Sequence, residues 1–209
     1  MLKVWGRANS SNVVKVMWCI GELGLAHERI DWGGRFGGND ELRYSSINPM
    51  KRVPTLEEAD GFTLWESHAI VRYLCGKLSP GGFFPDDLRI RAEADKWMDW
   101  SSLYLQSFNF AFRMHLFALP EAERKPEEVL AASKKVEPLF AILDRHLADK
   151  IYLCGDKFTM GDIPAGSLAH RWLTYAPERS DLPNLEAWYE RVKQRPAFAE
   201  HVMSVTPGD

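Results

Sequence analysis

The run Ser79-Pro80-Gly81-Gly82-Phe83-Phe84-Pro85-Asp86 limits what this chain can fold into more than any other segment. Two prolines around adjacent glycines end any helix and cannot sit inside a sheet, so elements must be built separately on either side. The pattern changes across this break. Before it, short apolar runs alternate with helical spacing; after it, helical spacing dominates and strand signals are few. We therefore expect one unit over residues 1–78, a linker over 79–87 and an all-helical unit over 88–209. The chain of 209 residues is long enough for two such units.

In the first unit Leu2-Lys3-Val4-Trp5 reads as a strand. Val13, Val16, Met17, Ile20 and Leu23 recur on one helical face that Gly24 should stop. His27 to Asp31 reads as a second strand. Residues 52–57 and 62–64 flank Ala59-Asp60-Gly61, a hairpin signal, and Ile70, Leu74 and Leu78 space a closing helix. The order β-α-β, a variable segment, then β-β-α predicts a small mixed sheet with packed helices, not a doubly wound nucleotide fold. In the second unit the pattern is helical from Asp86 to about His115, with Trp97, Trp100, Tyr104, Phe108 and Phe112 in one stripe. Residues 127–147, 161–175 and 183–194 are further helices, and Pro196 opens another.

Composition excludes several functions. Hydrophobic residues make up 45% and charged residues 26%, which is globular and not disordered. The net charge of −3 provides no overall basic field for nucleic acid or an anionic membrane. No apolar run approaches the ~18–20 residues of a membrane span, and the first residues lack a secretory signal. The three cysteines, Cys19, Cys75 and Cys154, are widely separated and form no Cys-x-x-Cys. That argues against a disulfide framework or thiolate zinc site and for a reducing cytoplasm. The six histidines show no ligand grouping, so no metal is expected.

Three short stretches could carry chemistry. Ser10-Ser11-Asn12 stands between the first strand and first helix. Such residues ordinarily cap helices, but a hydroxyl beside a positive helix end can also hold an anion such as a thiolate. In Asn48-Pro49-Met50-Lys51-Arg52-Val53-Pro54, a cis bond before Pro54 would turn the Val53 backbone outward to pair with an extended peptide; local sequence does not choose between cis and trans. In Glu66-Ser67-His68-Ala69-Ile70, Glu66 and Ser67 either cap a helix or take the ammonium and carboxylate of a peptide. Each stretch alone has an ordinary structural role.

In order and spacing, Ser-x-Asn, Asn-Pro-x-x-x-Val-Pro and Glu-Ser-x-Ala-Ile-x-x-Tyr-Leu followed by an all-helical half resemble the cytosolic glutathione transferase superfamily. The resemblance spans nearly the whole chain. It implies a thioredoxin-like first domain, a helical second domain, a cytoplasmic homodimer and a role in detoxification. It implies that Val53-Pro54 is cis, with the Val53 backbone pairing with the cysteinyl part of glutathione. Glu66 and Ser67 would hold the γ-glutamyl end, and Arg52 would lie near the glycyl carboxylate.

Tyrosine-activating classes fit poorly, because the first tyrosine is Tyr44. Cysteine classes fit poorly too, because Cys19 lies about two turns into the helix. The stretch is similar to the serine-using theta, zeta and delta types, or to a bacterial branch with Thr-x-Asn. Ser10 is the expected activating residue, with Asn12 assisting and Ser11 the main rival. For the electrophile pocket the candidates are Tyr104, Phe108 and Arg113, with Trp172 and Tyr175 behind them, although an aromatic stripe at helical spacing is ordinarily core. Thr159-Met160-Gly161-Asp162 reads as a structural capping box, and Gly33 to Gly38 as a loop bordering the glutathione site. Arg7 fits solvent, the site mouth or a subunit interface. The activity implied is conjugation of glutathione to a small hydrophobic electrophile. Alternatives are glutathione-dependent disulfide or peroxide reduction, isomerisation, or a non-catalytic carrier.

Overall fold

The computed structural model describes residues 1–207, the Ser107 side chain excepted. Strands β1 (Leu2–Trp5), β2 (His27–Ile30), β3 (Thr55–Glu57) and β4 (Thr63–Trp65) form one sheet in the order β2-β1-β3-β4. β1 pairs parallel to β2 across helix α1 (Ser11–Glu22); β3 runs antiparallel to both β1 and β4. The hairpin turn forms where the sequence places it: Gly61 has φ +92°, and the Asp60 carboxylate accepts from the Phe62 N–H at 3.1 Å. Helix α3 (Ser67–Leu78) returns over the sheet and packs on α1. This is the thioredoxin-like arrangement the resemblance implies. The variable segment holds a single turn at Gly34–Phe36 and the short helix α2 (Leu42–Ser45). Neither is long enough to leave a periodic pattern.

Beyond the turn-formers the described chain is helical: α4 (Leu88–Tyr104), α5 (Gln106–Phe112), α6 (Pro126–His146), α7 (Asp162–Tyr175), α8 (Pro183–Lys193) and α9 (Pro196–Phe198). The helix expected to run unbroken to about His115 is interrupted at Leu105. Inside α4 the Ser101 hydroxyl donates to the Trp97 carbonyl at 2.8 Å, a back-bond that bends helices, and the Leu105 N–H reaches the Ser101 carbonyl at a long 3.4 Å. The restart re-aims the aromatic stripe. Trp97, Phe108 and Phe112 are buried, while Tyr104 is 54% exposed. After α5 the chain makes a π-turn at Arg113–Ala118.

Helix α1 joins the two halves. Its Trp18 is fully buried against Phe158 and Phe198, with ring centroids 5.6 and 4.7 Å apart, and sits over Gly166 of α7. A Cβ on Gly166 would approach the Trp18 ring to 2.8 Å, so the close crossing of α1 and α7 requires glycine there. At the far end of α1 the Glu22 carboxylate accepts from Trp18 Nε1 and takes both Nε and a terminal nitrogen of Arg195 at 2.7 and 2.6 Å. This two-pronged pair is largely screened from water, and the Arg195 guanidinium stacks 3.9 Å from the Phe158 centroid. These contacts hold α1 in fixed relation to α7 and α9.

Candidate active site

The amino ends of α1 and α3, the loop before β3 and the face of α5 converge on one cleft. Its larger part is about 480 Å³ and its smaller part about 120 Å³; Asn12, Arg52 and Val53 line both. Ser10, Ser11 and Arg113 line the larger part, Pro54, Glu66 and Ser67 the smaller. The residues singled out in the three stretches therefore meet, although some fifty residues separate the first from the last.

Ser10 is the N-cap of α1, with φ −72° and ψ 126°, yet its side chain makes no cap bond. Among the described residues no hydrogen bond engages the hydroxyl, which stands at the positive end of a 12-residue helix. Ser11 is committed differently: its oxygen accepts from Asn109 Nδ2 at 3.0 Å, and Asn109 Oδ1 accepts from Arg171 at 2.9 Å. Asn12 Oδ1 accepts from Lys15 Nζ at 3.0 Å, which leaves the Asn12 amide N–H groups to donate elsewhere.

Val53-Pro54 is cis. Among the described residues, no hydrogen bond engages the Val53 N–H or carbonyl. The preceding carbonyl, that of Arg52, is pinned by Tyr44 Oη at 2.7 Å and Asn48 Nδ2 at 2.6 Å, and both also reach the buried Thr55 hydroxyl. Asn48 thus anchors the loop that presents Val53. Glu66 has φ +69°, a costly conformation for a non-glycine residue and one that persists where its surroundings impose it, as in ligand clamps. It exposes the Glu66 carboxylate beside the buried Ser67 at the start of α3.

Beneath the α1 terminus lies a cation that sequence reasoning overlooked. Lys15 is fully buried, its ammonium between Asn12 Oδ1 and His68 Nε2 at 3.2 Å. Burial, with Arg171 adding to it, brings Lys15 down to about 7, while Glu66 opposes. Burial and the Lys15 charge push His68 down to about 2, so its ring is neutral and accepts from the ammonium. Because the folded state lowers this lysine from its ordinary ~10.4, its stability contribution is present above ~10 and is lost as pH falls toward 7. Lys15→Met should therefore gain on the wild type by about 1 kcal/mol per pH unit over that window. Urea unfolding of both proteins at several pH values measures this, and parallel pH curves would show a lysine of ordinary basicity. The signal was a single lysine within the apolar run Val13-Val14-Lys15-Val16-Met17-Trp18.

The electrophile candidates fare unevenly. Phe108 is fully buried in the core, and Trp172 stacks on Phe140 at 4.4 Å. Tyr104 is exposed, but neither it nor Tyr175 lines the cleft. The interruption at Leu105 turns Asn109, Phe110 and Arg113 to the cleft instead. Of the residues named for that pocket, Arg113 is the one that lines it. Arg7, Gly34 and Arg35 border the same opening. Cys19 is buried 3.7 Å from Cys75, and that contact together with burial drives its thiol well above the usual range. It cannot act as an exposed nucleophile.

The glutathione S-transferase N-terminal domain family matches residues 1–75, and the glutathione S-transferase C-terminal domain family matches residues 109–196. Glutathione S-transferase GstB of Escherichia coli K12 is 37% identical over 97% of this chain and 98% of its own length. Glutathione S-transferase theta-1 of Mus musculus is 35% identical over 72% of this chain and 65% of its own. Among solved structures, the theta class glutathione S-transferase of Xanthomonas axonopodis pv. citri with glutathione bound has a TM-score of 0.90. It is 43% identical, and the match covers 97% of each chain.

Proposed function

This chain belongs to the glutathione S-transferase family, and from that membership we propose how its own residues handle glutathione. The protein is an enzyme that joins the glutathione sulfur to an electrophilic carbon. The observation that carries the residue assignment is the uncommitted Ser10 hydroxyl at the α1 terminus, facing the same cleft as the unpaired Val53 backbone.

On this reading residues 1–78 bind glutathione and residues 88–209 shape the second site, with 79–87 as the link. The Val53 N–H and carbonyl pair with the cysteinyl residue, held outward by the Tyr44 and Asn48 bonds to the Arg52 carbonyl. Glu66 takes the α-ammonium of the γ-glutamyl residue; the Ser67 hydroxyl and N–H take its carboxylate. Arg52 meets the glycyl carboxylate. Ser10 donates to the sulfur, Asn12 assists through its amide N–H, and the proton leaves to solvent. The helix dipole and the buried Lys15 and Arg171 charges favour the anion. The thiolate then attacks an electrophile over Phe110 and Arg113, and the leaving group departs with the bonding pair. Ser11, occupied by Asn109, positions α5 against α1. A cytoplasmic homodimer acting in detoxification completes the reading, supported by family membership. A mixed disulfide through a protein cysteine has no support from the buried Cys19.

The test is direct. Bound glutathione should show thiolate absorbance at neutral pH, with a thiol pKa lowered by about one to two units from ~8.5. Binding with the sulfur still protonated would point to the carrier alternative, and turnover of a disulfide but of no electrophile would point to the reductase.

A further inference from the structure

The larger part of the cleft is lined by four arginines, Arg7, Arg35, Arg52 and Arg113, and by no aspartate or glutamate. A fifth, Arg171, is buried behind Asn109. In a chain of net charge −3 this is a local concentration that overall charge conceals. Ion pairs among the described residues engage Arg29, Arg72, Arg179 and Arg195, but not Arg35, Arg52, Arg113 or Arg171. The only hydrogen-bond partner of the Arg113 guanidinium among the described residues is the Met114 thioether, 3.1 Å away, and the guanidinium lies 5.7 Å from the Phe110 ring centroid. The crowding is felt by Arg171, which burial lowers to about 10 with Arg113 and Arg7 adding to the effect. Arg35, Arg52 and Arg113, like charges that make no ion pair among the described residues, are unfavourable together in a partly enclosed site until an anion enters.

Glutathione does not supply all of that anion. On the reading above, its glycyl carboxylate goes to Arg52 and its γ-glutamyl carboxylate to Ser67, and its sulfur faces Ser10. Arg113 and Phe110 line only the larger part of the cleft, away from Glu66 and Ser67. Phe110 is 62% exposed and offers a flat apolar face beside the Arg113 charge. We propose that the second substrate is an anionic electrophile, with its apolar body on Phe110 and a carboxylate on Arg113. A guanidinium donates to a carboxylate in two-pronged fashion, which would fix the reacting carbon relative to the sulfur. The proposal rests on the transferase reading and adds the class of compound the enzyme selects.

The experiment compares 4-chloro-3,5-dinitrobenzoate with its methyl ester, which share a reacting carbon and differ in charge. With each, the thiolate attacks the ring carbon bearing chlorine; the C–S bond forms and chloride leaves with the electron pair. Each kcat/KM is divided by the uncatalysed rate with free glutathione. We expect the acid to be favoured by about 10–100-fold, the range of one charge-assisted bond, and the preference to shrink as salt is raised. Arg113→Gln should bring the acid-to-ester ratio toward one, and Arg113→Lys should restore part of it. An ester turned over as well as the acid, or a ratio unchanged in Arg113→Gln, overturns the anionic assignment and leaves the transferase standing. Failure to turn over either compound overturns both.

Discussion

Ser10→Ala should lower kcat/KM for conjugation by about 10–10³-fold while changing glutathione affinity little. The hydroxyl is charged with one task on this reading: donating to a sulfur that becomes anionic. A charge-assisted bond of ~1.5–3 kcal/mol lowers a thiol by about one to two pKa units. The remaining contacts with the tripeptide, at Val53, Glu66 and Ser67, lie in the smaller part of the cleft and survive the substitution. Removing a serine that capped α1 would cost about 1 kcal/mol of stability and leave chemistry alone. Because the Ser10 side chain makes no cap bond, the opposite pattern is expected: an unchanged melting temperature and a raised pKa for the bound thiol. Titrating thiolate absorbance in both proteins, beside a melting curve, reads the two effects separately. A variant that melts lower but conjugates at the wild-type rate would return Ser10 to capping and pass the sulfur to Asn12.

Much of this was legible in the sequence, and its gaps have identifiable physical causes. Strand β1, helix α1 with its Gly24 stop, the Asp60-Gly61 hairpin and α3 were readable because each carries a periodic apolar face or a turn that demands glycine. Helix α2 and the Gly34–Phe36 turn were not, since three or four residues cannot establish a period. The stripe from Trp97 to Phe112 misled at one point. Its spacing is unbroken, but the back-bond from Ser101 interrupts the helix at Leu105 and sends Tyr104 outward. The cleft wall therefore comes from Asn109, Phe110 and Arg113, of which only Arg113 had drawn notice.

Charge was hidden in another way. Summed over the chain it is slightly negative, but folding gathers arginines from near the sequence start, the glycine-rich loop, the segment before Val53 and the end of α5 into one lining. No local window contains more than two of them. The same holds for the link from Arg171 through Asn109 to Ser11, which joins residues 62 and 98 positions apart. Hydrogen bonds between distant residues have no sequence period, so short motifs could name Ser11 but not its partners.

Asp162→Ala should be the most destabilising single change in the helical half, at roughly 3–5 kcal/mol, because it orphans several buried donors at once. Asp162 is fully buried at the start of α7. Its Oδ1 accepts from the Leu153 N–H at 3.0 Å and from Trp188 Nε1 at 2.9 Å; Oδ2 accepts from the Thr159 N–H at 2.9 Å and the Thr159 hydroxyl at 3.3 Å. Burial pushes the carboxyl up to about 6, and those donors oppose the rise. One side chain thereby ties the loop before α7 to α7 and α8, and α7 carries both Gly166 under Trp18 and Arg171 beneath the cleft. With a loss of that size the melting temperature should fall by roughly 6–20 °C for a chain of this length. Asp162→Asn separates the contributions. Its carbonyl can still serve Leu153 and Trp188, but its amide would face the Thr159 N–H with a second donor, so its loss should be intermediate. Denaturant unfolding of the two variants gives both numbers. A cost below about 1 kcal/mol for the alanine would mean that solvent reaches the vacated donors, and that the Thr159–Asp162 box does not hold α7 in place.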